Sequence, residues 1–72
     1  MIAVEHAVQP ATKDFLIYRV IAQDGHAEIA GESSLETEAR RFAGVMEASE
    51  PEEGVCYEVR DAVSDELLFS TR

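Results

Sequence analysis

Cysteine, tryptophan, proline and basic residues are all scarce in this 72-residue chain. Its single cysteine, Cys56, rules out a disulfide within one chain. With His6 and His26 as the only histidines, no CxxC or HxxxH spacing exists, so we expect no metal site of zinc type and no cofactor. A domain this small that lacks such supports has a core of limited stability, which makes a homodimer a possible way of completing the fold.

Long apolar runs are absent as well. No stretch approaches the ~18 residues that a membrane-spanning helix requires. The residues after Met1 lack the basic and apolar segments of a secretory signal. Together with one unpaired cysteine, these features predict a cytoplasmic protein that does not enter a membrane.

Basic residues are few compared with acidic ones. Six Lys and Arg face fifteen Asp and Glu, for a net charge of −9. Nucleic acids and anionic membrane surfaces attract basic proteins, so we expect direct contact with neither. The charge is concentrated in residues 47–66, where Arg60 is the only base and the acids are Glu47, Glu50, Glu52, Glu53, Glu58, Asp61, Asp65 and Glu66.

The residues that are present predict one α+β domain over 13–72, with residues 1–12 as an N-terminal arm or extra strand. Residues 2–9 alternate in a way that suits a strand, which Pro10 ends. Residues 14–31 are typical of a β-hairpin, and Asp24-Gly25 is a common two-residue turn. A turn at those positions makes Gln23 face His26.

This register sorts the hairpin side chains into two faces. The face predicted to be the core side is wholly apolar or aromatic and carries Leu16, Tyr18, Val20, Ala22, Ala27 and Ile29. The opposite face is mixed and carries Phe15, Ile17, Arg19, Ile21, Glu28 and Glu32. If the helix covers only the first face, the apolar residues of the second lie near solvent.

Residues 34–49 have the apolar period of a helix. Ser33 and Glu36 form a capping-box pattern with Ser33 as the N-cap, and Glu36 with Arg40 makes an i,i+4 pair. Gly44 is interpreted as a point of close approach to the sheet. The apolar face comprises Leu35, Ala39, Phe42, Ala43 and Met46.

Residues 55–61 and 66–71 predict a second hairpin, so the element order is ββαββ. A right-handed crossover through the helix would carry the third strand beside the first. We therefore predict a four-stranded antiparallel sheet of order 2-1-3-4, with one helix packed on one face and the other face open.

No arrangement of residues predicts catalysis. Cys56 lies in an acidic strand segment without a neighbour that would activate a thiol. His26 has no evident base or nucleophile partner. The oxygen-rich turn after Asp61 lacks the spacing of a calcium-binding loop. We expect a non-enzymatic protein with no catalytic residues.

Two groups of residues are candidate interaction sites. The first is the set of eight acids in residues 47–66, because acids at a helix C-terminus oppose the helix dipole and folding alone would favour bases there. The alternative for this run is a solvated loop that only maintains solubility. The second group is the apolar set Phe15, Ile17 and Ile21, which would form a dimer or partner interface unless the N-terminal arm covers it.

In size, charge and element order, residues 14–71 resemble the small acidic anti-CRISPR inhibitors encoded by phages. The resemblance rests on the strand Phe15-Leu-Ile-Tyr-Arg-Val-Ile, the helix start Ser33-Ser-Leu-Glu-Thr-Glu-Ala-Arg-Arg and the strand Tyr57-Glu-Val-Arg. It implies a stoichiometric inhibitor, of phage or mobile-element origin, that occupies a basic nucleic-acid channel as a nucleic-acid mimic. The leading hypothesis is accordingly an acidic surface that binds a basic, nucleic-acid-handling protein; the alternative is a homodimeric or accessory subunit.

Overall fold

The computed structural model describes residues 13–72, which form two β-hairpins joined by one helix. The elements are β1 (Phe15–Ile21), β2 (His26–Ser33), α1 (Glu36–Ala48), β3 (Val55–Asp61) and β4 (Leu67–Ser70). The proposed strand over 2–9 and the arm over 1–12 lie outside the described residues.

The predicted sheet is confirmed. All neighbouring strands are antiparallel, and their order is β2-β1-β3-β4. Among the strands of residues 13–72, β1 and β3 are central, and β2 and β4 lie at the two edges. Helix α1 connects β2 to β3 and packs on one face of the sheet, as the crossover argument predicts.

The first hairpin has a different register from the predicted one. Ile21, and not Gln23, faces His26, and residues 22–25 form a four-residue turn. Gly25 takes a φ of +75° and its N–H donates to the Ile21 carbonyl, which closes this wider turn. A bulge after Ile17 adds Ala30 as an extra residue in β2.

The prediction of which sheet face is the core was wrong. Ile17 is fully buried in a cluster with Tyr57 and Val59 of β3 and with Ala39 and Ala43 of α1. Five of the six residues expected on the core side do share a face, since Tyr18 pairs with Ile29 and Val20 with Ala27, but α1 lies on the other side of the sheet. Val20 is buried all the same, at 8% exposure, and Ala22 lies in the turn.

Pairing between β1 and β3 explains the reversal. Ile17 is opposite Val59, whereas Tyr18 is opposite Glu58 and Leu16 is opposite Arg60. The β3 face with Glu58 and Arg60 offers a helix only the small Cys56 as apolar surface, while the other face offers Val55, Tyr57 and Val59. Strand β3 therefore decides which side of β1 becomes buried.

The helix begins later than predicted, and its cap differs. Ser33 is the last residue of β2, and its hydroxyl accepts the Leu35 N–H (3.1 Å) and donates to Glu38 (2.6 Å). Leu35 is the N-cap and makes no side-chain cap bond, so the capping box with Glu36 does not form. The Glu36–Arg40 pair is confirmed, at 2.6 Å.

The helix packs through small residues. Ala39 and Ala43 are fully buried, which allows α1 to lie close above the central strands. Phe42 and Leu35, predicted for the same apolar face, are 38% and 60% exposed. The close approach assigned to Gly44 was also wrong, since no atom would contact a Cβ there; the close approach is at Gly31, beneath the Phe42 ring.

Candidate binding surface

One acid of the run 47–53, Glu50, is built into the fold. Its side chain is only 6% exposed. Arg19 on β1 donates from Nε and Nη2 to the two carboxylate oxygens of Glu50, each at 2.9 Å. The Tyr57 hydroxyl donates to Glu50 Oε1 at 2.6 Å. These bonds fasten the loop between α1 and β3 to the two central strands.

Arg19 attracts two further carboxylates. Its Nη2 atom is 2.7 Å from Glu52 Oε1, and its Nη1 atom is 3.7 Å from Glu28 Oε2. Three acids thus surround a single guanidinium, which leaves this part of the surface negative. Sequence reasoning missed the anchoring role of Arg19, although a lone base within the apolar strand Phe15–Ile21 indicates a buried partner acid.

The contacts of Glu50 shift two pKa values in opposite directions. Hydrogen bonds from Arg19, and then from Tyr57, lower the pKa of the Glu50 carboxyl from 4.5 to about 2. Burial, and then the adjacent Glu50 carboxylate, raises the pKa of the Tyr57 phenol. Glu50 is therefore ionised and Tyr57 protonated across the neutral pH range.

This arrangement predicts that the free energy of unfolding decreases at acidic pH. Because the pKa of Glu50 is lower in the folded than in the unfolded chain, its stabilisation is complete above pH 4.5 and is lost as pH falls towards about 2. Urea unfolding midpoints measured across this window should fall more steeply for the wild type than for Glu50→Gln. Equal slopes for the two proteins would contradict the assignment.

The other acids of the run remain on the surface. Glu47 and Glu53 are exposed, and the Glu52 side chain is 67% exposed. The last turn of α1 contains Glu47 and no base, so Glu47 lies at the negative end of the helix, and Glu52 and Glu53 follow in the loop. We refer to Glu47, Glu52 and Glu53 as the loop-end acids.

The remaining predicted acids lie elsewhere. Glu58 projects from the open sheet face and pairs with Arg60 at 3.0 Å. Asp61 accepts backbone N–H bonds from Ser64 (3.0 Å) and Val63 (2.9 Å) in the turn after β3, and these bonds lower its pKa. This turn also contains Asp65, which has a φ of +64°, and the exposed Glu66.

The eight acids therefore do not form one continuous surface. The loop-end acids precede Val55, whereas Asp61 ends β3 and Asp65 and Glu66 follow it. Six residue steps along a strand separate these ends by about 20 Å. The structure divides the predicted site into two clusters at opposite ends of the sheet, with Glu58 between them.

The predicted apolar interface is not available as a surface. Ile17 is 0% exposed under α1, and Phe15 packs against the core cluster. Ile21, the third member, is half-buried on the same covered face. The opposite face, which no element of residues 13–72 covers, instead has Leu16, Tyr18 and Ile29, of which Ile29 is 60% exposed.

The potential catalytic and metal-binding residues are dispersed. Cys56 is buried on the open-face side and accepts a hydrogen bond from Arg72 at 3.3 Å, a neighbour that sequence reasoning did not foresee. His26 is exposed beside the turn, and its backbone N–H donates to Asp24. Within residues 13–72, no three His, Cys, Asp or Glu side chains are grouped to hold a metal ion.

No protein-family model matches this chain, and no curated protein or solved structure shows significant similarity to it. The helix formed by the described residues is neither long nor apolar enough to cross a membrane.

Proposed function

We propose that this chain is a non-enzymatic protein-binding module that presents the loop-end acids to a basic surface of a partner. One observation supports this most strongly. Of the four acids in residues 47–53, Glu50 forms a buried ion pair, while Glu47, Glu52 and Glu53 are exposed. Glu47 lies in the last turn of α1, and Glu52 contacts Arg19 from a side chain that is 67% exposed. Exposed acids that contribute little to the fold, one of them at an unfavourable helix end, indicate a role in recognition.

The net charge of −9 supports the same proposal. A field of one sign attracts a basic partner over long distances and speeds association. The narrower form of the proposal is a cytoplasmic inhibitor of anti-CRISPR type. In that form, the carboxylates occupy positions that nucleic-acid phosphates take on the partner, and the protein excludes nucleic acid by competition.

The test is affinity capture from a bacterial lysate at about 50 mM and about 500 mM salt, since screening shortens the range of surface charge over this interval. The bait with Glu47→Gln and Glu53→Gln should recover roughly tenfold less of the low-salt partner than the wild type. The matched control, Asp14→Asn with Glu36→Gln, has the same net charge and should recover nearly as much as the wild type.

Competition then tests the narrower form. The captured partner should release a bound oligonucleotide in a gel-shift titration when the wild-type protein is added. Equal recovery by both double variants would contradict a role for the loop-end acids. Recovery of a partner that resists high salt would instead favour the second candidate.

That second candidate is an accessory or homodimeric subunit that docks through the open sheet face. The exposure of Ile29, with Leu16 and Tyr18 beside it, supports this candidate. Apolar surface of this kind binds through burial and responds little to salt, which distinguishes it from the acidic surface.

A further inference from the structure

A groove of about 390 Å³ runs along the sheet face opposite α1. Its floor is formed by Tyr18 and Val20 of β1 and by Ala27 of β2. It extends from Gly25, in the turn between β1 and β2, to Asp65, in the turn after β3. Because β3 runs antiparallel to β1, these turns lie at opposite ends of the sheet, and the groove is about as long as β1, roughly 20 Å.

The charged wall of the groove is already satisfied by contacts within the sheet. Arg60 donates from Nε to Glu58 Oε1 at 3.1 Å and from Nη1 to the Asp65 carbonyl at 2.9 Å. Its Nη2 atom is 3.0 Å from the same Glu58 oxygen. The guanidinium is therefore engaged on three nitrogens, and an incoming molecule gains more from the apolar floor than from this wall. The groove suits an apolar occupant.

The described chain begins at one end of this groove. The Asp14 carbonyl accepts the Ala62 N–H at 2.9 Å, which places the start of β1 against the turn after β3 where the groove ends. Residues 1–12 precede this point and lie outside the described residues. Val8 is six residues from Asp14 in sequence and Val4 is ten, which allows reaches of at most about 20 Å and about 33 Å. Both reaches are long enough to place these side chains over the floor.

Residues 2–9 have the composition that such a groove requires. In an extended segment, Ile2, Val4 and Val8 lie on one side. His6 is the fourth residue of that side, and the only acid of the segment lies on the other side. One apolar side is thus available for the floor, while the charged side chain can remain in solvent.

Attachment to β1 favours this segment over a second copy of the chain as the occupant. A segment tethered a few residues from its binding site acts at an effective concentration of about millimolar order. A second copy acts only at the concentration of the protein, and two chains of net charge −9 repel one another. The tethered segment therefore has the advantage at ordinary protein concentrations.

We propose that residues 2–9 bind in this groove as an extended strap, with Val8 on Tyr18 and Val4 on Val20. The strap runs antiparallel to β1, because the chain reverses at residues 10–14 before β1 begins. It acts on the face opposite α1 and independently of the loop-end acids. A partner or a second copy that docks on the open face must first displace it, so the strap controls access to that face.

The test is NMR spectroscopy of the full 72-residue chain with labelled methyl groups. Nuclear Overhauser contacts should join the methyls of Val4 and Val8 to the Tyr18 ring. A soluble gadolinium chelate should relax the Ala27 methyl at least about threefold more strongly in Val4→Asp with Val8→Asp than in the wild type, because carboxylates are not accommodated on an apolar floor. The relaxation rate reports directly whether the groove is covered.

The matched control is Ala3→Asp with Ala7→Asp, which adds the same charge to the other side of the segment. It should keep the contacts with Tyr18 and the wild-type relaxation of the Ala27 methyl. A synthetic peptide of residues 1–12 supplies a second measurement. It should bind the Val4→Asp, Val8→Asp protein in the groove and bind the wild type at least about tenfold more weakly, because the tethered strap competes with it.

Three results would overturn the inference. The first is the absence of contacts between residues 2–9 and Tyr18, with equal relaxation of the Ala27 methyl in the wild type and both double variants. The second is contacts of residues 2–9 confined to the outer edge of β2 or to β4. The third is a stable dimer in which mixed labelled and unlabelled chains show Tyr18 against a second copy.

Discussion

Glu50→Gln should lower the thermal unfolding midpoint by roughly 10 °C or more, a loss out of proportion to the removal of one acid from an acidic protein. The variant leaves Arg19 without its bidentate partner in a site where Glu50 is 6% exposed and Arg19 is 22% exposed. Arg19 keeps Glu52 at its exposed side, but its buried side loses a charged partner that water does not fully replace. The measurement is circular dichroism during heating at neutral pH.

Glu52→Gln is the matched control for this prediction. Glu52 contacts the same guanidinium at 2.7 Å, but its side chain is 67% exposed. Exposed ion pairs contribute little to stability, so its midpoint should fall by no more than about 2 °C. Equal losses for the two variants would show that burial does not distinguish them, and the anchoring role of Glu50 would be wrong.

Glu50 is therefore unsuitable for mutational tests of the binding surface. Charge reversal at Glu50 would unfold the loop between α1 and β3, and any loss of partner affinity would then have a trivial cause. Glu47 and Glu53 are exposed, so changes there report on recognition while the fold is preserved.

Ile17→Ala should destabilise the protein by about 3 kcal/mol, because it removes a fully buried aliphatic side chain from the centre of the core cluster. A domain of this size has about 3–5 kcal/mol of stability in total, so the variant should be close to unfolded at 37 °C. The free energy of unfolding from urea titration is the measurement.

Ile29→Ala is the control, since it makes the same chemical change in the same hairpin at a residue that is 60% exposed. Its cost should be at most about 0.5 kcal/mol. If Ile29→Ala were the more costly of the two, the helix would cover the other side of the sheet. The pair of variants therefore tests directly which face is the core.

The sequence by itself determined the element order and the sheet order. Helical and strand periods, turn residues and Pro51 separate the elements, and the right-handed crossover then allows one arrangement of four strands. The polar pair Glu36–Arg40 also follows from local spacing, because residues four apart on a helix are neighbours whatever the tertiary structure is.

From the sequence, the candidate site could be predicted only as an acidic segment and not as a set of individual exposed residues. Its composition marks residues 47–66 as acidic, but charge patterning does not indicate which acids face solvent. Glu50 and Glu53 are alike in sequence, and only the position of Arg19 on a strand 31 residues away from Glu50 separates a buried anchor from an exposed acid.

Which face of the first hairpin is buried was likewise decided by the tertiary structure. Both of its faces are apolar enough for a core, with Ile17 on one and Val20 on the other, so local pattern is ambiguous there. Pairing with β3 resolves it, because Val59 and Tyr57 lie beside the first face and Glu58 beside the second. Local spacing specifies which residues share a face, whereas burial depends on what a distant strand places next to them.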